Sequence, residues 1–192
     1  LLLTSVGIPP GGQWLDACAG AGGKSLQLAR LLGPTGTVEA TDLRPAALAE
    51  LRQRATRARV ANLTISARPG RAAYDGVLVD APCSGTGTWR RAPHLKWVTR
   101  PEHLARAASR QLELLHQLAP LVRSGGLLVY ATCSLARCEN AAVVTAFLQD
   151  HPGFTPQPPA VDFGYAPGEG GLTIWPARHD TDGFFVAALR RG

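Results

Sequence analysis

Leu15-Asp16-Ala17-Cys18-Ala19-Gly20-Ala21-Gly22-Gly23-Lys24-Ser25 opens on an apolar run that ends in a carboxylate, crosses a glycine-rich turn and enters a helical pattern that runs from Ser25 through Leu32. Glycine lets a backbone bend sharply and approach a ligand, and the helix that follows offers free N–H groups at its start. The stretch is not a phosphate-binding loop, because the spacing Gly-x4-Gly-Lys-Ser/Thr fails, and a lone Gly-x-Gly is weak support for a dinucleotide site. One helix later, Val38-Glu39-Ala40-Thr41-Asp42 reads as a second strand ending in an acid. It lies about 20 residues beyond the turn, where a ribose-binding α/β fold hydrogen-bonds the sugar hydroxyls. Each piece alone fits a plain strand–turn–helix; their order carries the reading.

Two further stretches extend it: Val79-Asp80-Ala81-Pro82-Cys83-Ser84-Gly85-Thr86-Gly87 and Tyr130-Ala131-Thr132-Cys133-Ser134. Each follows an apolar run that reads as a buried parallel strand. Each puts a cysteine in the loop beyond a strand's carboxyl end, where open α/β sheets bind ligands. On the residues alone, such a pair admits a disulfide, half a metal site, or a nucleophile with a helper. Strands are expected near Trp14–Ala17, Val38–Thr41, Leu63–Ser66, Gly76–Asp80, Gly126–Ala131, Leu172–Trp175 and Phe184–Leu189. Helices are expected near Lys24–Leu32, Pro45–Val60, Glu102–Leu121 and Glu139–His151, with Pro45 and Pro101 in first turns, where the missing N–H costs nothing. Leu104, Ala108, Leu112, Leu115 and Ala119 recur at helical spacing as a buried stripe. The Pro/Gly-rich stretch from His151 to Gly171 reads as a surface excursion. Alternating strands and helices imply α/β architecture, a mostly parallel seven-stranded sheet with helices on both faces.

The 192 residues suit one domain, 1–192, with no internal repeat. The net charge of +6 is carried almost wholly by arginine; lysine occurs only at Lys24 and Lys96, which fits a need for a compact ammonium rather than a planar fork. A basic excess favours a polyanion partner, with a solvated basic surface as the alternative. The run Arg52–Arg59 reads as the exposed face of a helix. Four cysteines in no paired spacing, with no signal peptide and no long apolar span, point to a reducing cytoplasm and no membrane. No C-x2-C or His–Cys cluster supports zinc, so no metal is expected. Cys18 is expected to pack near the glycine turn and Cys138 to lie at a helix start. There is no methionine, even at position 1, so the chain is expected to be a piece of a longer protein.

With these motifs together, the chain resembles the RNA (cytosine-5) methyltransferase family, the S-adenosylmethionine-dependent enzymes of the bacterial RsmB and eukaryotic NSUN type. The resemblance runs from about Trp14 to Leu189. It is carried by the glycine turn, Asp42, the Asp80–Gly87 stretch with Trp89-Arg90-Arg91-Ala92-Pro93-His94-Leu95-Lys96-Trp97, the Thr132-Cys133-Ser134 triplet, Glu139-Asn140, and Asp182-Gly183-Phe184-Phe185. The two cysteine motifs are the specific part. The resemblance implies a Rossmann-like methyltransferase fold, a catalytic domain whose N-terminal RNA-binding region lies outside this chain, and a monomer.

For the chemistry, the resemblance makes Cys133 the nucleophile and Cys83 the residue that helps release the product. Cytosine carbon 5 is a poor nucleophile until a thiolate adds at carbon 6, and cysteine suits that step because it both attacks and leaves. Release also needs a base, or a positioned water, for the carbon-5 proton. Asp80 matches the family's carboxylate beside the base, and Lys24 a lysine near the target. The cofactor, S-adenosylmethionine, is expected on Ala17, Cys18, Ala19, Gly20, Ala21, Gly22, Gly23 and Lys24, with Asp42 at the ribose and Asp80 nearby. Pro69 stands where the family usually has an acid beside the adenine, and the stretch on to Tyr74 is too short for a full crossover helix. Aromatics and cations interleaved over Trp89–Trp97 suit a splayed-out RNA strand, whose target base must leave its stack.

Plainer roles stand beside these: a loop cap for Asp80, charge balance for Lys24, and a packed structural loop for Trp89–Trp97. The substrate expected is structured RNA, 16S ribosomal RNA first and tRNA second. DNA cytosine-5 methylation, with Cys83 as nucleophile, and a non-catalytic RNA-binding assembly factor are the rivals.

Overall fold

Side-chain alternation along the apolar runs decides how the sheet is covered, because neighbouring residues of a strand face opposite ways. Trp14, Leu78, Val129 and Val186 pack on one face with Leu2, Leu3, Leu28 and Leu32. Leu15, Val77, Val79, Leu128, Tyr130 and Leu189 pack on the other with Leu115, Val143, Val144 and Phe147. In the computed structural model, which describes residues 2–70, 73–166, 168 and 170–192, these runs are β1 (Gly12–Asp16), β2 (Gly36–Ala40), β3 (Leu63–Ile65), β4 (Tyr74–Asp80), β5 (Val122–Thr132), β6 (Phe154–Gln157), β7 (Leu172–Ile174) and β8 (Phe184–Arg191). The helices are α1 (Leu2–Val6), α2 (Gly23–Leu32), α3 (Pro45–Arg57), α4 (Leu95–Val98), α5 (Pro101–Leu118), α6 (Ala141–Asp150) and α7 (Pro176–His179). α1 and α2 cover the first face, and α5 and α6 the second.

The sheet order is β3-β2-β1-β4-β5-β8-β6, with β7 also paired to β8. The first five strands are parallel, and β8 is antiparallel to β5, β6 and β7. The doubly covered, mostly parallel sheet is therefore as expected, but among the described residues it has eight strands rather than seven. The additional strand, β6, lies in the stretch read as a surface excursion. It carries Pro156, which weakens any strand signal, and it pairs along the outer edge of β8, where a strand tolerates proline. Residues 167 and 169 of that stretch lie outside the described residues.

Of three other expectations two hold and one meets a refinement. Pro45 and Pro101 do begin α3 and α5. The α5 stripe is only partly sealed, however: Leu115 and Ala119 are buried, while Leu104, Ala108 and Leu112 are half-buried. The residue that is wholly buried in mid-helix is polar, Gln111. Between β3 and β4 no helix occurs among the described residues, as the short spacing implied; Arg71 and Ala72 of that stretch lie outside them. Among the described residues no helix is long and apolar enough to cross a membrane.

Gly76 sits where β4 crosses Trp14, and a Cβ there would lie 2.5 Å from the indole ring. Trp14 is 2% exposed and cannot retreat. Gly76→Ala should therefore lower unfolding stability by about 1–3 kcal/mol, the usual cost of overpacking, measured by urea denaturation.

Candidate active site

The carboxyl ends of β1, β2 and β4 and the stretch after β3 open into a cleft of about 990 Å³. Its floor is the turn after β1, held in place by strand-like bonds: Ala17 N–H to the Leu78 carbonyl at 2.9 Å and Ala19 N–H to the Thr41 carbonyl at 2.9 Å. Gly22 occupies the left-handed region (φ 87°), and a Cβ there would sit 2.0 Å from Leu51 of α3. Only glycine fits both demands. Arg54, within the run read as an exposed basic face, is half-buried instead and donates to the Ala21 carbonyl at 2.8 Å. Arg52 and Arg57 are exposed as expected.

Of the residues expected at the cofactor, Ala17, Cys18, Ala19, Gly20, Ala21, Gly23, Lys24, Asp42 and Asp80 all line this cleft. Gly22 does not; it packs on Leu51 and shapes the turn from behind. The opposite walls are Leu43, Ala67, Arg68 and Pro69 on one side and Arg110, Leu114, Gln117 and Leu118 of α5 on the other. Pro69 thus stands in the wall, with apolar neighbours in Ala67 and Leu43. The cleft combines a polar glycine turn and an acid at one end with apolar walls, a donor set that fits an amino-acid-bearing nucleoside.

Three acids meet here and differ in their partners. Asp16 is fully buried, accepts from Ser25 Oγ at 2.7 Å, and is pushed up by burial to about 7. Asp42 accepts from Gly20 N–H at 2.8 Å, from Arg44 N–H at 2.9 Å and from the Arg44 guanidinium at 2.9 and 3.0 Å. The guanidinium bonds hold its carboxyl down at about 2. These four bonds fill the acceptor capacity of a carboxylate, so a ribose would have to displace the exposed Arg44 side chain. Asp80 pairs with Lys24 Nζ at 2.6 Å, and the ammonium also lies 5.7 Å from the Phe184 ring centroid. Cys18 is pushed up to about 12, by burial first and by Asp16 second, which leaves it an inert packing thiol as expected. Cys138 lies in the 3-10 turn just before α6.

Beyond Asp80 the two cysteine loops touch. Cys83 Sγ and Cys133 Sγ are 3.3 Å apart, both thiols half-buried. The hydrogen bond between them pulls the Cys133 thiol below its ordinary value and drives the Cys83 thiol up. The two loops also meet through their backbones: Ala81 N–H bonds the Ala131 carbonyl and Gly87 N–H the Cys133 carbonyl, each at 2.9 Å. Gly183 N–H in turn bonds the Gly87 carbonyl at 2.8 Å, joining the loop before β8 to the pair. A Cβ on Gly87 would lie 2.2 Å from the Gly183 carbonyl oxygen, so glycine is required by space alone.

In the sequence Glu139 stands only as part of the Glu139-Asn140 motif, with no role attached to it. In the structure it is wholly buried and binds both cysteine loops. Its carboxylate accepts from Ser84 N–H at 2.8 Å, from Gln111 Nε2 at 3.1 Å, from Ser134 Oγ at 2.6 Å, and from Ser84 Oγ. Gln111 also donates to the Pro82 carbonyl at 2.9 Å. The only signal in the sequence was a serine directly after each cysteine. Trp89–Trp97 is mixed: Trp89 is half-buried, whereas Lys96 and Trp97 are exposed and Trp97 is 83% accessible. Arg90 and Arg91 pair with Asp180 and Asp182 at 2.8 and 2.6 Å. Among the described residues no group of three metal-ligating side chains occurs.

Known proteins resemble this chain over nearly its whole length. Residues 6–190 match the family model described as 16S rRNA methyltransferase RsmB/F. Probable ribosomal RNA small subunit methyltransferase B of Bacillus subtilis is 38% identical over 92% of this chain and 42% of its own length. Ribosomal RNA small subunit methyltransferase B of Thermus thermophilus is 39% identical over 95% of this chain and 46% of its own. Among solved structures, NSun6 from Pyrococcus horikoshii with SFG superposes with a TM-score of 0.83 at 29% identity, over 94% of this chain and 48% of that one. The chain thus spans less than half the length of these relatives. With the family model matched from residue 6 to residue 190 and a fold that superposes on a relative's, the chain belongs to the 16S rRNA methyltransferase RsmB/F family.

Proposed function

We propose that this chain is the catalytic domain of an S-adenosylmethionine-dependent enzyme that methylates carbon 5 of a cytosine in 16S ribosomal RNA. The observation that carries the reading is the contact between two half-buried thiols, 3.3 Å apart, beside a carboxylate–ammonium pair at the rim of the cleft. The names of its relatives support ribosomal RNA as the substrate. The cleft's glycine turn, acid and apolar walls support S-adenosylmethionine as the cofactor, as does the presence of SFG, an analogue of it, with NSun6. When bound, it supplies the electrophilic methyl group.

The chain's own residues then divide the work. Cys133, whose thiolate the Cys83 S–H hydrogen bond favours, adds to carbon 6 of the flipped-out cytosine. Asp80, oriented by Lys24, meets N3 as the carboxylic acid: its O–H donates to that nitrogen and passes its proton there as the thiolate adds, which leaves carbon 5 electron-rich. Once carbon 5 carries its methyl group, its proton must leave and the Cys133–carbon 6 bond must break. Cys83, lying against Cys133, takes that proton as a thiolate or through a water it positions, and Cys133 departs from carbon 6 as the thiolate. Asp42 holds the ribose, with Arg44 turned aside, and the glycine turn receives the amino-acid end through its N–H groups.

RNA carrying 5-fluorocytosine cannot lose its carbon-5 substituent and should trap a protein–RNA adduct on denaturing gels. Cys133→Ala should abolish the adduct, whereas Cys83→Ala should accumulate one with ordinary RNA and cofactor under conditions where the wild type turns over. An adduct that survives Cys133→Ala and disappears with Cys83→Ala would reverse the two roles.

Asp42→Ala should weaken S-adenosylmethionine binding by roughly 1.5–3 kcal/mol, the scale of hydrogen bonds to a charged group. Isothermal calorimetry measures it, and unchanged binding would move the ribose elsewhere.

A further inference from the structure

Each cysteine of the pair is followed by a serine, Ser84 or Ser134, and both serine hydroxyls donate to the same oxygen of Glu139. That carboxylate comes from the 3-10 turn after β5 and is fully buried beneath the two loops. Its other oxygen takes the Ser84 N–H and Gln111. A buried carboxylate with four donors is costly to disturb, because each donor left behind has no water to turn to. Beyond the strands and the ties of Gly87 N–H and Thr86 Oγ1 to the Cys133 loop, the two sulfurs are therefore spaced by a single carboxylate that binds the residue next to each. We propose that Glu139 is a positioning residue: by clamping the Cys83-Ser84 and Cys133-Ser134 dipeptides to one carboxylate, it keeps the sulfurs in hydrogen-bond contact, so that the Cys83 S–H stabilises the Cys133 thiolate.

This rests on the reading of Cys133 as nucleophile and adds a role for Cys83 before methyl transfer. The Glu139 clamp is also distinct from the local ties of the Cys133 loop itself. Asn140 bonds the Ser134 carbonyl at 2.9 Å and Thr132 Oγ1 at 2.7 Å, which shapes that loop but does not reach Cys83. Gln in place of Glu139 keeps the volume, yet its amide nitrogen cannot accept from either serine or from the Ser84 N–H. Ser134→Ala removes one strut, together with the contacts of its Oγ to Thr86 Oγ1 at 3.0 Å, to Ser84 Oγ at 3.3 Å and from Ala136 N–H at 3.1 Å, and leaves the carboxylate and its other donors in place.

Other charges face Cys133 and remain in every variant. Asp80 disfavours its thiolate and Lys24 favours it. Arg91, held by Asp182, lies on the side of the loop before β8. The buried Tyr130 hydroxyl lies against the Glu139 carbonyl. Glu139→Gln also removes a carboxylate beneath the loops, which by itself favours the thiolate, so an upward shift in that variant reports the sulfur contact.

The test is the pH profile of Cys133 alkylation by iodoacetamide, read by mass spectrometry of its peptide, with no RNA present. Glu139→Gln and Ser134→Ala should each move the midpoint upward, slowing alkylation at neutral pH about tenfold for every unit of the move. In a Cys83→Ala background neither should add a further shift. S-adenosylmethionine affinity by calorimetry should stay within about twofold, since Asp42 and the glycine turn are untouched, and kcat rather than KM should fall. A profile that matches wild type in a variant with intact cofactor binding overturns the proposal. So does an equal shift with and without Cys83. If Glu139→Gln does not fold, Ser134→Ala and Ser84→Ala decide the matter by the same readout. Because alkylation needs no substrate, failure here leaves the RNA reading standing, and loss of the RNA activity leaves this result standing.

Discussion

The parallel pairing of β4 with β5 is the constraint on which the rest of the site depends. Asp80 lies opposite Ala131 in that register, and both strands stop within a residue or two. Two loops that are 50 residues apart in sequence are thereby released side by side at one edge of the sheet. An antiparallel pair would send them to opposite ends. The antiparallel partner on the far side of β5 serves the same end: β8 begins where β5 finishes, with Phe185 opposite Thr132, so Gly183 and Phe184 reach the cysteine loops and the cleft.

Around that edge the protein handles three carboxylates in three ways. Asp16 is sealed beneath the glycine turn, where burial favours its protonated form and Ser25 donates to it. Asp42 faces the cleft but is held ionised by Arg44, its own neighbour two residues on. Asp80 meets Lys24 from the start of α2, an ion pair that spans the gap between the glycine turn and the cysteine loops. Similar residues at similar strand ends thus acquire different chemistry from what lies beside them. A fourth carboxylate, on Glu139, is spent on holding loops rather than on meeting a ligand.

Much of the fold was legible because its signals are local. The apolar runs, the glycine turn and the prolines at helix starts each act over a few residues, and they placed seven of the eight strands and four of the helices. β6 escaped because an edge strand containing Pro156 has half its ladder unpaired and little pattern to show. The short α1, α4 and α7 escaped because single turns depend on packing rather than on periodicity. Gln111 was hidden within an apolar stripe, and Arg54 within a basic run, since the feature that singles each out is a distant carbonyl, of Pro82 and of Ala21.

By itself the sequence determined the α/β class, the family, and the residue types at each strand end, because those follow from hydrophobic period, turn chemistry and motif spacing. Tertiary structure decided what those residues face. It brought the two sulfurs to 3.3 Å, filled the acceptors of Asp42 with Arg44, and gathered the serines of both loops on Glu139. The physical reason is one of range. A strand or a turn is settled by neighbours along the chain, but hydrogen bonds and charge pairs form between groups that only folding brings within a few ångströms.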